Sequence, residues 1–69
     1  MNKQLILKNN LKSIRNSKNL SQEQLADLVG STRQTVISIE KGIFNPSVKL
    51  ALLISVALDC KIEDLFFFE

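Results

Sequence analysis

Polar side chains suited to recognising another molecule cluster between positions 33 and 41 of this 69-residue sequence. A helix advances about 100° per residue, so a helix that buries Val36 and Ile39 presents its other side chains together on the outer surface. That outer surface consists of Arg33, Gln34, Ile37, Ser38 and Lys41. Arg33 and Gln34 can each form two parallel hydrogen bonds with a flat partner. The pattern therefore indicates that this surface recognises another molecule through pairs of hydrogen-bond donors and acceptors.

Groups that could support catalysis or hold a metal ion are scarce. The sequence has no histidine, and Cys60 is the single cysteine, which excludes an internal disulfide. The carboxylates and hydroxyls are scattered and are better explained as helix caps, and there is no glycine-rich phosphate loop. We therefore expect no enzymatic activity, no catalytic residue, no cofactor and no metal site. Cys60 is most simply a small buried hydrophobic residue.

Charge is distributed unevenly, although the net charge is only +2. Residues 1–20 carry five basic side chains and no acidic one, whereas residues 59–69 carry one lysine and four acidic side chains. A solvated basic helix face and a polyanionic partner both explain this asymmetry, and the two alternatives stay open.

The length and composition indicate one small packed domain over residues 1–69, with an apolar fraction of 45%. The longest apolar-rich stretch, residues 48–58, has 11 residues, whereas a membrane-spanning helix needs roughly 20. The start of the sequence also lacks the apolar core of a signal peptide. We expect a cytoplasmic protein that does not enter a membrane.

Start and stop signals divide the sequence into five short helices. Ser21 and Gln24 form a capping box at the start of the second helix, and Gly30 ends that helix. Asn45 as a cap, followed by Pro46 in the first turn, starts the fourth helix. The predicted helices cover about residues 9–18, 21–29, 31–41, 46–58 and 62–66. The predicted fold class is therefore all-α, a five-helix bundle.

A tight corner joins the second and third helices. Either Ser31 or Thr32 caps the third helix, and with Ser31 as the cap Gln34 would complete a second capping box. A helix that ends in glycine, a short corner and a second capped helix is typical of the helix-turn-helix, whose second helix enters the major groove of DNA. We place this motif at about residues 21–41.

Four segments carry a resemblance to a known family: Leu-Ser-Gln-Glu-Gln-Leu-Ala at 20–26, Ser-Thr-Arg-Gln-Thr-Val at 31–36, Ile-Glu-Lys-Gly at 39–42 and Asn-Pro-Ser at 45–47. Together they resemble the Xre-like family of phage lambda Cro and repressor-type regulators, over about residues 11–66. The resemblance implies a five-helix bundle that binds DNA as a two-fold dimer. It also implies an ion pair between Arg15 and Glu40 beneath the corner; two separate solvated charges are the alternative.

The outer face of the third helix is the expected reader of DNA bases, through Arg33, Gln34, Ile37 and Ser38. Arg33 matches the O6 and N7 atoms of guanine, and Gln34 matches the N6 and N7 atoms of adenine. Ile37 either contacts a thymine methyl group or packs against the loop. Similar proteins often carry a smaller residue than Ile37 and a longer polar one than Ser38, so the operator sequence of a relative does not transfer.

Contacts to the DNA backbone are expected from side chains and amides near the helix ends, which set register without reading sequence. These candidates are Gln22, Thr32, Thr35, Lys41, Gly42 and Asn45. Plain helix capping explains the two threonines equally well.

The fourth helix is apolar at nine of the eleven positions from 48 to 58, so it must be covered on two sides. We assign its inner face to Val48, Ala51, Leu52, Ser55 and Leu58. We expect a dimer interface within residues 50–69, built from Leu50, Leu53, Val56, Phe66, Phe67 and Phe68. Residues 5–7 and 66–68 have strand character and are expected to pair as a short antiparallel ribbon beside that interface.

The leading interpretation is a sequence-specific regulator of transcription that binds double-stranded DNA. A repressor that binds an inverted repeat as a homodimer fits best, with half-site centres about 10 base pairs apart, and activation stays open. The alternative is an antitoxin-like interaction module that binds a toxin through its apolar C-terminal end and also binds its own promoter.

Overall fold

The computed structural model describes residues 5–69 and contains five helices and one two-stranded antiparallel sheet. In chain order the elements are β1 (Leu7–Asn9), α1 (Leu11–Ser17), α2 (Gln22–Val29), α3 (Arg33–Glu40), α4 (Val48–Ala57), α5 (Ile62–Leu65) and β2 (Phe66–Phe68). The predicted five-helix bundle with a terminal ribbon is confirmed. Among these residues, no helix is long and apolar enough to cross a membrane.

One apolar core draws residues from every helix. Leu11, Leu25, Ile54 and Leu65 are fully buried, one from each of α1, α2, α4 and α5. The remaining buried apolar residues are Ala26, Val29, Val36, Ile39 and Leu58. The helix α3, which carries the predicted recognition residues, contributes Val36 and Ile39 to this core and packs mainly against α2 and α1.

The corner between α2 and α3 is formed by local capping. The Ser21 hydroxyl accepts a bond from the Gln24 amide at 3.0 Å, and the Gln24 side chain accepts one from the Ser21 amide at 2.8 Å, so the predicted capping box is confirmed. Gly30 ends α2 in the left-handed conformation, with φ of 68°. Thr32, not Ser31, caps α3, because its hydroxyl accepts a bond from the Thr35 amide at 3.2 Å, whereas the Ser31 amide donates to the Ala26 carbonyl of α2. The capping box predicted for Ser31 is therefore absent from this corner.

The fourth helix begins later than the sequence predicted. Ser47 is its cap, with the hydroxyl accepting a bond from the Leu50 amide at 3.1 Å, and α4 itself starts at Val48. The predicted start at Asn45 and Pro46 was wrong, since both residues belong to the loop before the cap.

The predicted inner face of α4 is confirmed only in part, since Ser55 and Leu58 are buried and Ala51 is half-buried. Val48 and Leu52, expected inside, are 77% and 48% exposed. Leu50, expected at a dimer interface, is half-buried and packs against the core, and Ile54 is fully buried. The helix is therefore rotated about its axis relative to the expected orientation, because an almost wholly apolar helix has no polar stripe that would specify its rotation.

The terminal ribbon pairs β1 with β2 in antiparallel register, with Leu7 opposite Phe68 and Asn9 opposite Phe66. The predicted first strand at residues 5–7 was two residues too early. Asn9 explains the shift, because its side chain accepts a bond from the Leu11 amide and donates one to the Ile39 carbonyl at 3.0 Å. Asn9, the last residue of β1, thus bonds to the first residue of α1 and to the last turn of α3.

Candidate nucleic-acid interface

The helix α3 has one buried face and one outward face. Val36 and Ile39 are each 1% exposed and face the core. Arg33 and Gln34 are exposed in the first turn, and Lys41 is exposed just beyond the last turn. Ile37 and Ser38, the other two predicted base readers, are half-buried. The structure therefore places the two long hydrogen-bonding side chains where an external partner can reach them.

The outward face of α3 is positively charged. Arg33 and Lys41 are exposed there, whereas Glu40, the one acidic residue of α3, turns inward and pairs with Arg15. Lys12 of α1 is also exposed and borders a different hollow, which includes Glu40 and Asn16. A polyanion that approaches this side would meet exposed cations. It would not be repelled by α3, whose one carboxylate is paired with Arg15.

A buried ion pair fixes α3 against α1. The Arg15 Nε atom lies 2.7 Å from Glu40 Oε2, and the second guanidinium arm lies 3.3 Å from Glu40 Oε1. The two side chains are only 7% and 5% exposed. Arg15 also donates to the Leu20 carbonyl at 2.7 Å, just before α2. The Arg15 guanidinium therefore connects α1 with the last residue of α3 and with the segment just before α2.

Gln22, a predicted backbone contact, belongs to the same network. Its side-chain amide donates to Glu40 Oε1 at 3.1 Å, and the residue is half-buried. One of its two amide hydrogens is thus engaged inside the protein. Gln22 is held in a defined position at the first turn of α2, next to α3.

The other predicted backbone contacts have different local roles. The Thr32 hydroxyl caps α3 by accepting from the Thr35 amide at 3.2 Å, and the two threonine hydroxyls lie 3.0 Å apart. The Gly42 amide donates to the Ile39 carbonyl at 2.9 Å, so it is already bonded within the protein and is a poor candidate for a phosphate contact. Asn45 is exposed in the loop.

The loop after α3 folds back onto the helix and brings an aromatic side chain beside the outward face. The Ser38 carbonyl accepts bonds from the amides of Ile43 and Phe44, at 3.0 and 3.2 Å. Phe44 then lines a hollow together with Gln34, Thr35 and Ser38. Phe44 was not among the predicted site residues, although an aromatic residue in the loop between two capped helices is a visible sequence signal.

An apolar surface lies on α4 and the ribbon. Val48, Leu52 and Val56 follow one another at four-residue intervals and are exposed, Val56 to 77%. Among the predicted interface residues, Leu53, Phe67 and Phe68 are also exposed, whereas Leu50 and Phe66 pack against the core. A hollow of about 210 Å³ on this surface is lined by Leu7, Pro46, Val48, Ala51, Leu52, Ile62 and Phe66.

Groups with catalytic or metal-binding potential do not converge in the structure. Within the described range, no three His, Cys, Asp or Glu residues are grouped so as to hold a metal ion. Cys60 is half-buried beside the core, and burial, with a smaller contribution from Asp64, raises the pKa of its thiol above the ordinary value. A raised pKa lowers the thiolate fraction and hence the reactivity of this sulfur.

Comparison with known proteins agrees with this geometry. A helix-turn-helix family model matches residues 11–65. The chain is 51% identical over 63 residues to an HTH-type transcriptional regulator of Methanocaldococcus jannaschii, covering 91% of this chain and 96% of the relative. It is 37% identical over 60 residues to the control protein C.SmaI of Serratia marcescens, covering 87% and 71%.

A solved structure is also similar to this chain. The restriction-modification controller protein C.AhdI from Aeromonas hydrophila superposes with a TM-score of 0.74 at 39% sequence identity, over 78% of each chain.

Proposed function

This chain belongs to the helix-turn-helix family of DNA-binding transcriptional regulators, and we propose that it represses transcription by binding an inverted-repeat operator as a homodimer. The observation that carries the proposal is the outward face of α3. Arg33 and Gln34 are exposed on a helix whose opposite face is fixed in the core by Val36 and Ile39. Such a helix can enter the major groove without rearrangement of the fold.

Base recognition is assigned to the outward face of α3. Arg33 donates two bonds to guanine and Gln34 pairs with adenine, and each good pair discriminates by about 1–3 kcal/mol. Ile37 and Ser38 lie behind them and contact the next base pairs. Gln22, Thr32, Thr35, Lys41 and Asn45 fix the register through phosphate contacts.

Selection of bound duplexes from a random pool tests this assignment. The expected result is a palindromic sequence with two half-sites about 10 base pairs apart, because two recognition helices of a dimer are separated by about one turn of DNA, or a multiple of it. Recovery of no consensus, or of a single asymmetric half-site, would refute the proposal.

The variant Arg33→Ala distinguishes the loss of a base contact from the loss of one positive charge. It should weaken binding to the selected duplex by about tenfold or more and weaken binding to random DNA far less. Lys61→Ala is the matched control, since it removes one exposed positive charge from the start of α5. Equal losses on both DNAs for Arg33→Ala would remove its role in reading bases.

Dimerisation is assigned to the apolar surface of α4 and the ribbon. Its exposed residues Val48 and Leu52 line the hollow together with Leu7 and Phe66, and the exposed Val56 follows Leu52 one turn further along α4. An apolar surface of this kind is typical of an interface. The exposed Leu53, Phe67 and Phe68 extend it.

Sedimentation of Val56→Asp tests the dimer. A charge at the centre of the interface should convert a dimer into a monomer at micromolar concentration. Leu28→Asp is the matched control, because Leu28 is a 62% exposed apolar residue of α2, outside this surface. A monomeric wild type, or a dimer that survives Val56→Asp but not Leu28→Asp, would refute the assignment.

A second candidate function is an antitoxin-like module that uses the same apolar surface to bind a toxin. The exposure of Phe67 and Phe68, at 38% and 61%, favours this alternative. A stable complex with a protein from the native host that displaces the homodimer would support it. A homodimer that binds its operator alone with full affinity favours the repressor.

A further inference from the structure

Resting on the proposed function, we propose that Phe44 recognises a thymine C5-methyl group in each half-site and so sets specificity at one base pair beside those read by Arg33 and Gln34. The recognising surface is the hollow between the loop and α3. This hollow is lined by Phe44 from the loop and by Gln34, Thr35 and Ser38 from α3.

The position of Phe44 is fixed by the backbone. Both the Ile43 and Phe44 amides donate to the Ser38 carbonyl, and Gly42 turns the chain with a φ of 74°. The loop therefore runs back along α3 rather than away from it. Phe44 approaches the outward face at Ser38, one turn beyond Gln34, and both of these positions belong to the predicted base-reading set.

The small size of Ser38 creates the room. A longer side chain at this position would reach across the hollow towards the aromatic ring. With serine, a space of about 260 Å³ stays open, whereas a methyl group occupies roughly the 30 Å³ of a water molecule. The Gln34 side-chain amide, 3.4 Å from the Ser38 hydroxyl, marks the polar edge of the same space.

The chemistry of the walls favours the thymine methyl group. Phe44 is 45% exposed and lines the hollow, so the hollow has an apolar aromatic surface that a ligand can contact. In the major groove, the C5-methyl of thymine is the apolar group that distinguishes this base, and phenylalanine contacts it favourably.

The test compares duplex selections made with the wild type and with Phe44→Ala. The wild type should require thymine at one position of each half-site, and Phe44→Ala should select the same palindrome with any base at that position. Replacing that thymine by deoxyuridine removes only the methyl group. For each half-site substituted, the wild type should then lose roughly fourfold in affinity, as for one methyl group returned to water, and Phe44→Ala should lose nothing.

Two further variants complete the design. Ile43→Ala is the matched control, because Ile43 is a 76% exposed neighbour in the same loop and does not line the hollow; it should keep the thymine requirement. Phe44→Gln removes the apolar wall but keeps side-chain length, and it should lose the sensitivity to deoxyuridine even if Phe44→Ala fails to fold.

The outcomes separate this inference from the function on which it rests. Recovery of no consensus by the wild type would overturn the proposed function itself. A wild-type palindrome whose thymine positions respond equally to deoxyuridine in wild type, Phe44→Ala and Phe44→Gln would overturn the role of Phe44 alone. The same holds if the Phe44 variants weaken all DNA equally without changing the selected sequence, which would indicate contact with the sugar-phosphate backbone.

Discussion

Removal of the Arg15 side chain should destabilise the protein more than the loss of any exposed charge. Arg15→Ala leaves the Glu40 carboxylate, which is 5% exposed, without its cation, and leaves the Leu20 carbonyl without its donor. Breaking a buried ion pair by deleting one partner costs about 3–5 kcal/mol. A domain of 69 residues has a total stability of only about 3–10 kcal/mol. The substitution should therefore remove a large part of the free energy of unfolding.

Thermal unfolding followed by far-ultraviolet circular dichroism measures this effect. At about 4–8 °C per kcal/mol for a domain of this size, Arg15→Ala should lower Tm by at least about 12 °C. Lys12→Ala is the matched control, since Lys12 is an exposed cation of the same helix, and it should change Tm by less than about 4 °C.

A double variant tests the reasoning directly. Arg15→Met with Glu40→Leu replaces both charges by apolar groups of similar size, so no buried charge is left alone, and its Tm should lie above that of either single variant. The reasoning is refuted if Arg15→Ala melts within about 4 °C of the wild type, or if the double variant loses the sum of the two single losses.

Three further predictions concern local structure. Gly30→Ala should lower stability by about 1–2 kcal/mol in denaturant titration, because φ of 68° is unfavourable for a residue with a Cβ although no atom lies within 4 Å of it; an unchanged midpoint would contradict this. Ser47→Ala should cost about 1 kcal/mol through loss of the α4 cap and Asn45→Ala much less, so equal losses would argue against the observed helix start. Cys60 should react with iodoacetamide at pH 8 more slowly in the folded than in the unfolded protein, because the pKa of its thiol is raised; equal rates would contradict this.

The features that the sequence predicted correctly are those that depend on a few neighbouring residues. The capping box of Ser21 and Gln24 and the left-handed Gly30 need only local bonds and backbone freedom, so residue types and spacing suffice. These signals also located the corner before α3, together with Val36 and Ile39 on its inner face.

The features that the sequence did not predict depend on tertiary contacts or on competing local signals. The start of α4 is fixed by the Ser47 hydroxyl, which accepts a bond from the Leu50 amide, and not by the predicted Asn45 cap. The rotation of α4 is set by packing against α2, which places Leu50 inside and Val48 outside. The position of β1 depends on the bond from Asn9 to the distant Ile39 carbonyl, and the approach of Phe44 to Ser38 depends on how the loop folds back.

The division of α3 into an inner and an outer face has a consequence for evolution. Val36 and Ile39 are confined by their neighbours, whereas Arg33 and Gln34 are exposed, so exchanges at the outer positions cost little folding energy. In the proposed role, a lineage can pass from one target to another through single steps, each of which still yields a folded protein. Two duplicated copies in one cell can therefore come to bind different DNA targets while they keep the same fold.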